Sequence, residues 1–249
     1  SANGKSLEIQ HQRFLPKDHT ALLLQRLTLI PSEDMELIVS SGILPDSCNS
    51  PIPDDQTKAN TETVQLSHPG PVEVSSQGIS CTYSIGGSNL TVNQETTFYC
   101  PDFTYVRSDG TAAVYRAVAK CGQALTLDKI SCIYLPGIDP RISGIPENWS
   151  YDALLAAHRA AWADTWRNCD LDISAYGEDL QVGLRYAMFQ LLGSCSAKDP
   201  TVSIGARGLS HARYKGCYFW DTDLFMLPFF LENDLEAARN LCDYRVRSL

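Results

Sequence analysis

The sequence has no run approaching the ~20 consecutive apolar residues that a membrane-spanning helix needs. It has no Cys-x-x-Cys pair, and near its start no apolar segment of the kind a secretory signal carries. It is short of positive charge: 20 Lys and Arg stand against 29 Asp and Glu, a net charge of −9. Each absence excludes something. A membrane span and a membrane partner are not expected. A polyphosphate partner such as a nucleic acid is not expected, since binders of that class carry basic patches. The nine cysteines are odd in number and widely spaced, which fits neither a zinc site nor a compact disulfide framework. Reduced thiols in a cytoplasmic protein are the expectation. Two glycosylation-type triplets, Asn89-Leu90-Thr91 and Asn148-Trp149-Ser150, are read as chance.

What is present suits a globular protein. The chain has 249 residues, 44% hydrophobic and 20% charged, enough for one large or two ordinary domains. Up to about residue 135 the pattern is that of strands. Short alternating segments recur at Leu7–His11, Ala21–Thr28, Met35–Ser40, Val72–Val74, Ser80–Ile85, Thr96–Tyr99, Ala112–Ala119 and Lys129–Tyr134. Turn residues such as Ser108-Asp109-Gly110 and Lys120-Cys121-Gly122 divide them. Many short strands with frequent turns predict an antiparallel β-sandwich. Pro45–Ser67, rich in Pro, Asp, Asn and Thr, reads as a long surface loop.

Pro136–Trp149, with three prolines and two glycines, reads as a linker. Helices are expected after it. Ser150 caps the first, whose apolar face carries Tyr151, Leu154, Leu155, His158, Trp162 and Trp166. Both tryptophans read as packing, and His158 as a hydrogen-bonded core histidine. A second helix is expected over Gly177–Cys195, striped by Leu180, Leu184, Met188, Leu191 and Leu192, with Glu178 and Asp179 favoured in its first turn. A third is expected over Leu235–Arg247. The resulting organisation is 1–135, 136–175 and 176–249: strands, a linker with a helix, then helices.

The densest stretch is Ser203–Phe230. Gly205 and Gly208 bracket a basic turn; Arg213, Tyr214, Lys215 and Gly216 lead to Phe219-Trp220-Asp221-Thr222-Asp223; and an apolar run, Leu224–Leu231, follows that calls for burial. An aromatic beside a carboxylate suits a sugar, the ring covering the apolar C–H face and the carboxylate accepting from neighbouring hydroxyls. Asp221 or Thr222 reads equally as the cap of a helix starting near Asp223. Arg207, Arg213 and Lys215 read as a possible anion cradle, and Glu232 and Glu236 as surface residues.

This stretch closely resembles the Phe-Trp-Asp-Thr-Glu segment of glycoside hydrolase family 65. The match is long and ordered: Asp199-Pro200, Val202 to Ser210, Tyr214-Lys215-Gly216, Phe219 to Thr222, and Phe225 to Phe230. Arg13-Phe14-Leu15 and Leu125–Ile130 are similar to the later part of that family's N-terminal sandwich, and Trp166, Asp170, Asp179, Gln181 and Arg185 to its linker and first barrel helices. His211-Ala212-Arg213, Cys217 and Asp223 depart from the usual Gly-Glu-Gly, His and Glu. The resemblance implies a β-then-α fold: 1–135 the later part of the sandwich, 136–175 the linker, and 176–249 the first helices of an (α/α)6 barrel that needs twelve. It implies an inverting α-glucoside phosphorylase that uses inorganic phosphate as co-substrate, with no cofactor and no metal, to give β-glucose 1-phosphate.

By the same resemblance Trp220 and Asp221 contact the non-reducing glucose, with Phe219, Arg213 and Lys215 nearby. No position matches the catalytic glutamate or the phosphate site, so the chain is expected to be a partial one with no catalytic residue of its own. Its partners would be an α-linked glucose disaccharide and whatever covers the apolar faces of 184–192 and 224–231, the rest of the barrel or a second copy. Two other readings stay open: an α-glucosidase that uses water, and a non-catalytic sugar-binding or scaffold protein.

Overall fold

A computed structural model describes residues 5–44, 66–67, 71–86, 88–137, 142, 144–197, 199–205 and 218–248. The expected loop Pro45–Ser67 lies outside the described residues but for its last two, as do Arg207, Arg213 and Lys215. The chain divides into two compact units, one holding the described residues up to Trp162 and the other those from Ala163.

Among its described residues the first unit holds ten strands: β1 (Leu7–Phe14), β2 (Leu22–Pro31), β3 (Met35–Gly42), β4 (Leu66–Ser67), β5 (Glu73–Val74), β6 (Gly78–Ile85), β7 (Thr91–Tyr99), β8 (Thr104–Asp109), β9 (Ala112–Ala119) and β10 (Leu125–Tyr134). They form a seven-stranded sheet in the order β1-β2-β10-β7-β6-β4, with β5 also on β6, and a three-stranded sheet β3-β9-β8. The pairings among the described residues are antiparallel. The expected strands are all present. β4 and β8 were not expected. β8 is mostly exposed, so no alternation marks it.

The register explains the apolar pattern. On β2 and β10, Leu29 faces Leu125 and Leu27 faces Leu127; these side chains join Leu37, Ala113, Tyr115 and Ala117 of the smaller sheet in the sandwich core. One residue further on the pleat reverses the face. Leu24 opposite Ile130, and Leu22 opposite Cys132, pack instead against Tyr151, Leu154 and Leu155 of the helix α1 (Tyr151–Cys169). These strands are therefore covered on both sides, and apolar residues occur at both even and odd positions, Leu22, Leu24, Leu27 and Leu29 of β2 and Leu125, Leu127, Ile130 and Cys132 of β10.

The polar pair in the same register fastens the helix. Arg26 lies opposite Asp128, and its Nε and Nη2 donate to the two carboxylate oxygens at 2.7 and 2.8 Å. Its Nη1 also donates to Asp152, in the first turn of α1, at 2.7 Å. The guanidinium lies 4.0 Å from the Tyr151 ring centroid. These partners hold Arg26 protonated far above its ordinary range, the Asp128 bond being the largest cause. The Arg26 bond in turn lowers the Asp152 carboxyl. Ser150 caps α1 as expected, accepting from the Ala153 amide at 3.4 Å. Gly144 lets the preceding segment approach the sheet: its φ is +115°, and a Cβ there would lie 2.8 Å from the Glu95 carboxylate.

His158 differs from expectation. Its ring stacks between Phe14 (5.0 Å) and Trp162 (6.4 Å), but its buried Nδ1 has no hydrogen-bond partner among the described residues. The aromatic rings around it offer packing and no acceptor. Burial, with Lys17 and Arg159 nearby, holds its pKa below the usual imidazole value.

The second unit contains the end of α1, a 3-10 turn (Ser174–Tyr176), α2 (Glu178–Ser194), a π-helical turn (Thr222–Met226), α3 (Leu227–Asn233) and α4 (Leu235–Arg247). Gln181, buried on α2, accepts from the Ile173 amide at 2.6 Å and donates to the Leu171 carbonyl at 3.0 Å. Arg185 grips Asp170 with two bonds of 2.9 and 2.6 Å. The core is Ile204, Phe230, Ala237, Ala238 and Leu241. Asp234 caps α4, accepting from the Ala237 amide at 3.0 Å, and the helix spans the expected residues. No helix among the described residues is long and apolar enough to cross a membrane. Cys81, Cys100, Cys121, Cys132, Cys195 and Cys242 are free thiols.

Candidate functional site

The site is built where an extended segment meets the start of a helix. Ser203 and Ile204 are buried. The Thr222 hydroxyl donates to the Ile204 carbonyl at 2.7 Å in a buried setting, which ties the segment to the helix. From the other side, Nη2 of Arg245, on α4, donates to the Phe219 carbonyl at 3.1 Å and pairs with the Asp223 carboxylate at 2.8 Å. The Tyr218 ring meets the Tyr244 ring edge-on at 5.0 Å. The amides of Asp223 and Leu224 both bond the Trp220 carbonyl, at 3.0 and 3.1 Å. The helix then opens by one residue into a π turn, the Leu227 amide reaching the Thr222 carbonyl. Pro228 follows within the first turn of α3, where its missing N–H costs least.

Phe219, Thr222 and Asp223 are thus pinned, while the side chains of Trp220 and Asp221 between them make no hydrogen bond among the described residues. Trp220 is 59% exposed, touching Phe225 with ring centroids 5.8 Å apart. Asp221 is half-buried in helical conformation, and its side chain makes no cap bond. The capping reading of Asp221 and Thr222 is therefore corrected. The helix already includes Asp221, and the Thr222 hydroxyl is spent on Ile204. Phe219 lies beside Trp220 at 37% exposure. Arg213 and Lys215, the other expected contacts, lie outside the described residues. Glu232 is exposed on α3 and Glu236 on α4.

The expected burial of the whole Leu224–Leu231 run is also corrected. Phe230 is 1% exposed, but Leu224, Phe225 and Leu231 are 60%, 69% and 49% exposed. A helix turns only one face to its core, so a continuous apolar run cannot all be buried within this unit. Leu180, Val182 and Tyr186 of α2 are exposed as well.

Sequence reasoning missed Arg245. At the C-terminal end of a helix a basic residue reads as ordinary dipole compensation, and its partner Phe219 is 26 positions away. Among the described residues no group of three or more His, Cys, Asp or Glu is placed to hold a metal.

An antiparallel sandwich followed by helices defines a β-then-α class of protein. The chain belongs to glycosyl hydrolase family 65: residues 1–165 match the model of that family's N-terminal domain, and residues 185–249 that of its central catalytic domain. It is 29% identical over its whole length to kojibiose phosphorylase of Escherichia coli strain K12, covering 34% of that protein. It is 27% identical over 99% of its length to the 1,2-alpha-glucosylglycerol phosphorylase of Bacillus selenitireducens, covering 32%. Over 99 residues, 40% of the chain and 13% of the relative, identity to kojibiose phosphorylase of Caldanaerobacter subterraneus reaches 44%. A solved structure of a candidate kojibiose phosphorylase from the human microbiome superposes on all of the chain and 33% of its own length, with a TM-score of 0.74 at 20% identity, which shows a common fold. The chain spans about a third of the length of the relatives that match it throughout.

Proposed function

We propose that this chain forms part of an inverting α-glucoside phosphorylase and supplies a share of its glucose subsite. One observation carries the reading. Within the ordered family stretch, the Asp221 carboxylate has no hydrogen-bond or ion-pair partner among the described residues, and the Trp220 indole, set against Phe225 on one side, is 59% exposed, while Phe219, Thr222 and Asp223 are tied by hydrogen bonds or an ion pair. The indole would cover the apolar face of a glucose ring, and the Asp221 carboxylate would accept from two adjacent hydroxyls. Phe219 borders this pair, and Arg213 and Lys215 belong to it in the same reading.

The reaction would be transfer of glucose from an α-linked disaccharide to inorganic phosphate with inversion, giving β-glucose 1-phosphate. A general acid protonates the leaving oxygen, and phosphate attacks from the opposite face of the sugar. The reading takes the acid from a glutamate elsewhere on the polypeptide. Residues 1–135 would belong to the sandwich, 136–175 to the linker and 176–249 to the first helices of the barrel. The exposed faces of α2 and of Leu224–Leu231 would be covered by further barrel helices or a second copy.

The test is the intact mass and the activity of the polypeptide bearing this sequence, purified from its source cells. The reading expects a mass well above the 27.5 kDa of the chain and phosphate-dependent release of β-glucose 1-phosphate from kojibiose, nigerose, maltose or trehalose. Glucose release without phosphate would instead support an α-glucosidase. A species at the chain's own mass that binds sugar without turnover would support a sugar-binding protein.

A further inference from the structure

We infer that Arg245 is a positioning residue for the sugar subsite: it ties the Phe219 carbonyl on one side of Trp220 and Asp221 to the Asp223 side chain on the other, and so sets where the ring and the carboxylate stand. The inference rests on the reading of those two residues as sugar contacts. Its basis is geometric. A single nitrogen, Nη2, donates to the Phe219 carbonyl at 3.1 Å and sits 2.8 Å from Asp223 Oδ2. These two anchors flank the three residues Trp220, Asp221 and Thr222. The adjacent residue on α4, Tyr244, holds Tyr218 through its ring, so one face of α4 serves as a template for the segment leading into the helix.

Stability alone accounts poorly for this arginine. The side chains of Arg245 and Asp223 are 34% and 37% exposed, and ion pairs that wet contribute little. Arg245 also keeps its Nε buried with no partner among the described residues, which is unfavourable. What the side chain provides is a bridge from the Phe219 carbonyl to the Asp223 side chain. A binding pair left otherwise unsupported needs such a bridge, because recognition is lost when its groups wander by a fraction of an ångström. The Thr222–Ile204 bond is a separate anchor on the opposite side, so loss of Arg245 frees the Phe219 side of the turn and leaves the helix in place.

The experiment compares the complete wild-type polypeptide bearing this sequence with its Arg245→Gln and Arg245→Lys variants, using glucose as the probe. Two quantities are read: the Kd for glucose by calorimetry, and amide hydrogen exchange across residues 219–224. For Arg245→Gln the expected results are faster exchange at Asp223 and Leu224, an essentially unchanged melting temperature, and glucose binding weakened at least about tenfold. Arg245→Lys keeps a donor of shorter reach and recovers part of both effects. If wild type and Arg245→Gln bind glucose equally, or exchange across 219–224 is unaltered, the positioning role is refuted while the sugar reading stands. If the wild-type polypeptide binds no glucose, the sugar reading fails and the positioning role falls with it.

Discussion

Replacing Arg26 by Met would leave the Asp128 carboxylate inside the protein without its countercharge. Asp128 is 3% exposed, and its two carboxylate oxygens accept, at 2.7 and 2.8 Å, from this one guanidinium. Breaking a buried pair by removing one partner costs about 3–5 kcal/mol. The Arg26 side chain is 23% exposed, so water can partly replace it, and about 2–4 kcal/mol is the working figure. Asp152, by contrast, has a side chain 74% exposed, and Asp152→Asn should cost no more than ~0.5 kcal/mol. Replacing both members of the buried pair, Arg26→Met with Asp128→Leu, removes the stranded charge and should be less destabilising than Arg26→Met alone. Urea unfolding of the three variants, followed by tryptophan fluorescence and by circular dichroism, gives the comparison through midpoints at constant slope. The reasoning is refuted if Arg26→Met loses no more than Asp152→Asn, or if the double variant is no more stable than Arg26→Met.

Further outcomes follow from other contacts. Thr222→Val strands the buried Ile204 carbonyl and should cost about 1–3 kcal/mol, whereas Thr222→Ser keeps the donor and loses only a methyl, ~1 kcal/mol; thermal unfolding separates the two. Trp220→Ala and Asp221→Asn should leave stability within about 0.5 kcal/mol, since neither side chain makes a hydrogen bond or ion pair among the described residues, while weakening glucose binding measured by calorimetry. His158 has a folded-state pKa below the ordinary 6.5 because burial disfavours its charged form. The folded state therefore binds fewer protons there than the unfolded chain, and the stability that follows is present above the ordinary pKa and lost as pH falls below it. Melting temperatures at about pH 7.5 and pH 5 should show this drop in the wild type and a smaller one in His158→Phe.

Local chemistry is legible in the sequence where it acts over a few residues. Ser150 and Asp234 cap the helices that start beside them, and the helix Leu235–Arg247 has the expected bounds. Strands with one wet face show their alternation. β10 keeps the alternation Leu125-Thr126-Leu127-Asp128 at its start, but Leu125 and Leu127 belong to the core shared with the smaller sheet while Ile130 and Cys132 turn to α1, so apolar residues stand on both faces and no single period runs the length of the strand. The Leu224–Leu231 run looked like core because composition records how apolar a segment is and not which way its helix faces.

The sequence by itself determined the order of the parts, strands then linker then helices, and the identity of the stretch holding Trp220 and Asp221. Both are carried by neighbouring residues: turn signals, caps, periodicity and an ordered motif. Only the tertiary structure decided that Arg26 meets Asp128 and Asp152, 102 and 126 positions away, that His158 has its nitrogen among rings with no acceptor, and that Arg245 bridges Phe219 and Asp223. Those contacts depend on strand register and on which face of a helix is turned inward. Both are fixed by burying apolar surface across the whole fold, and no local pattern records them.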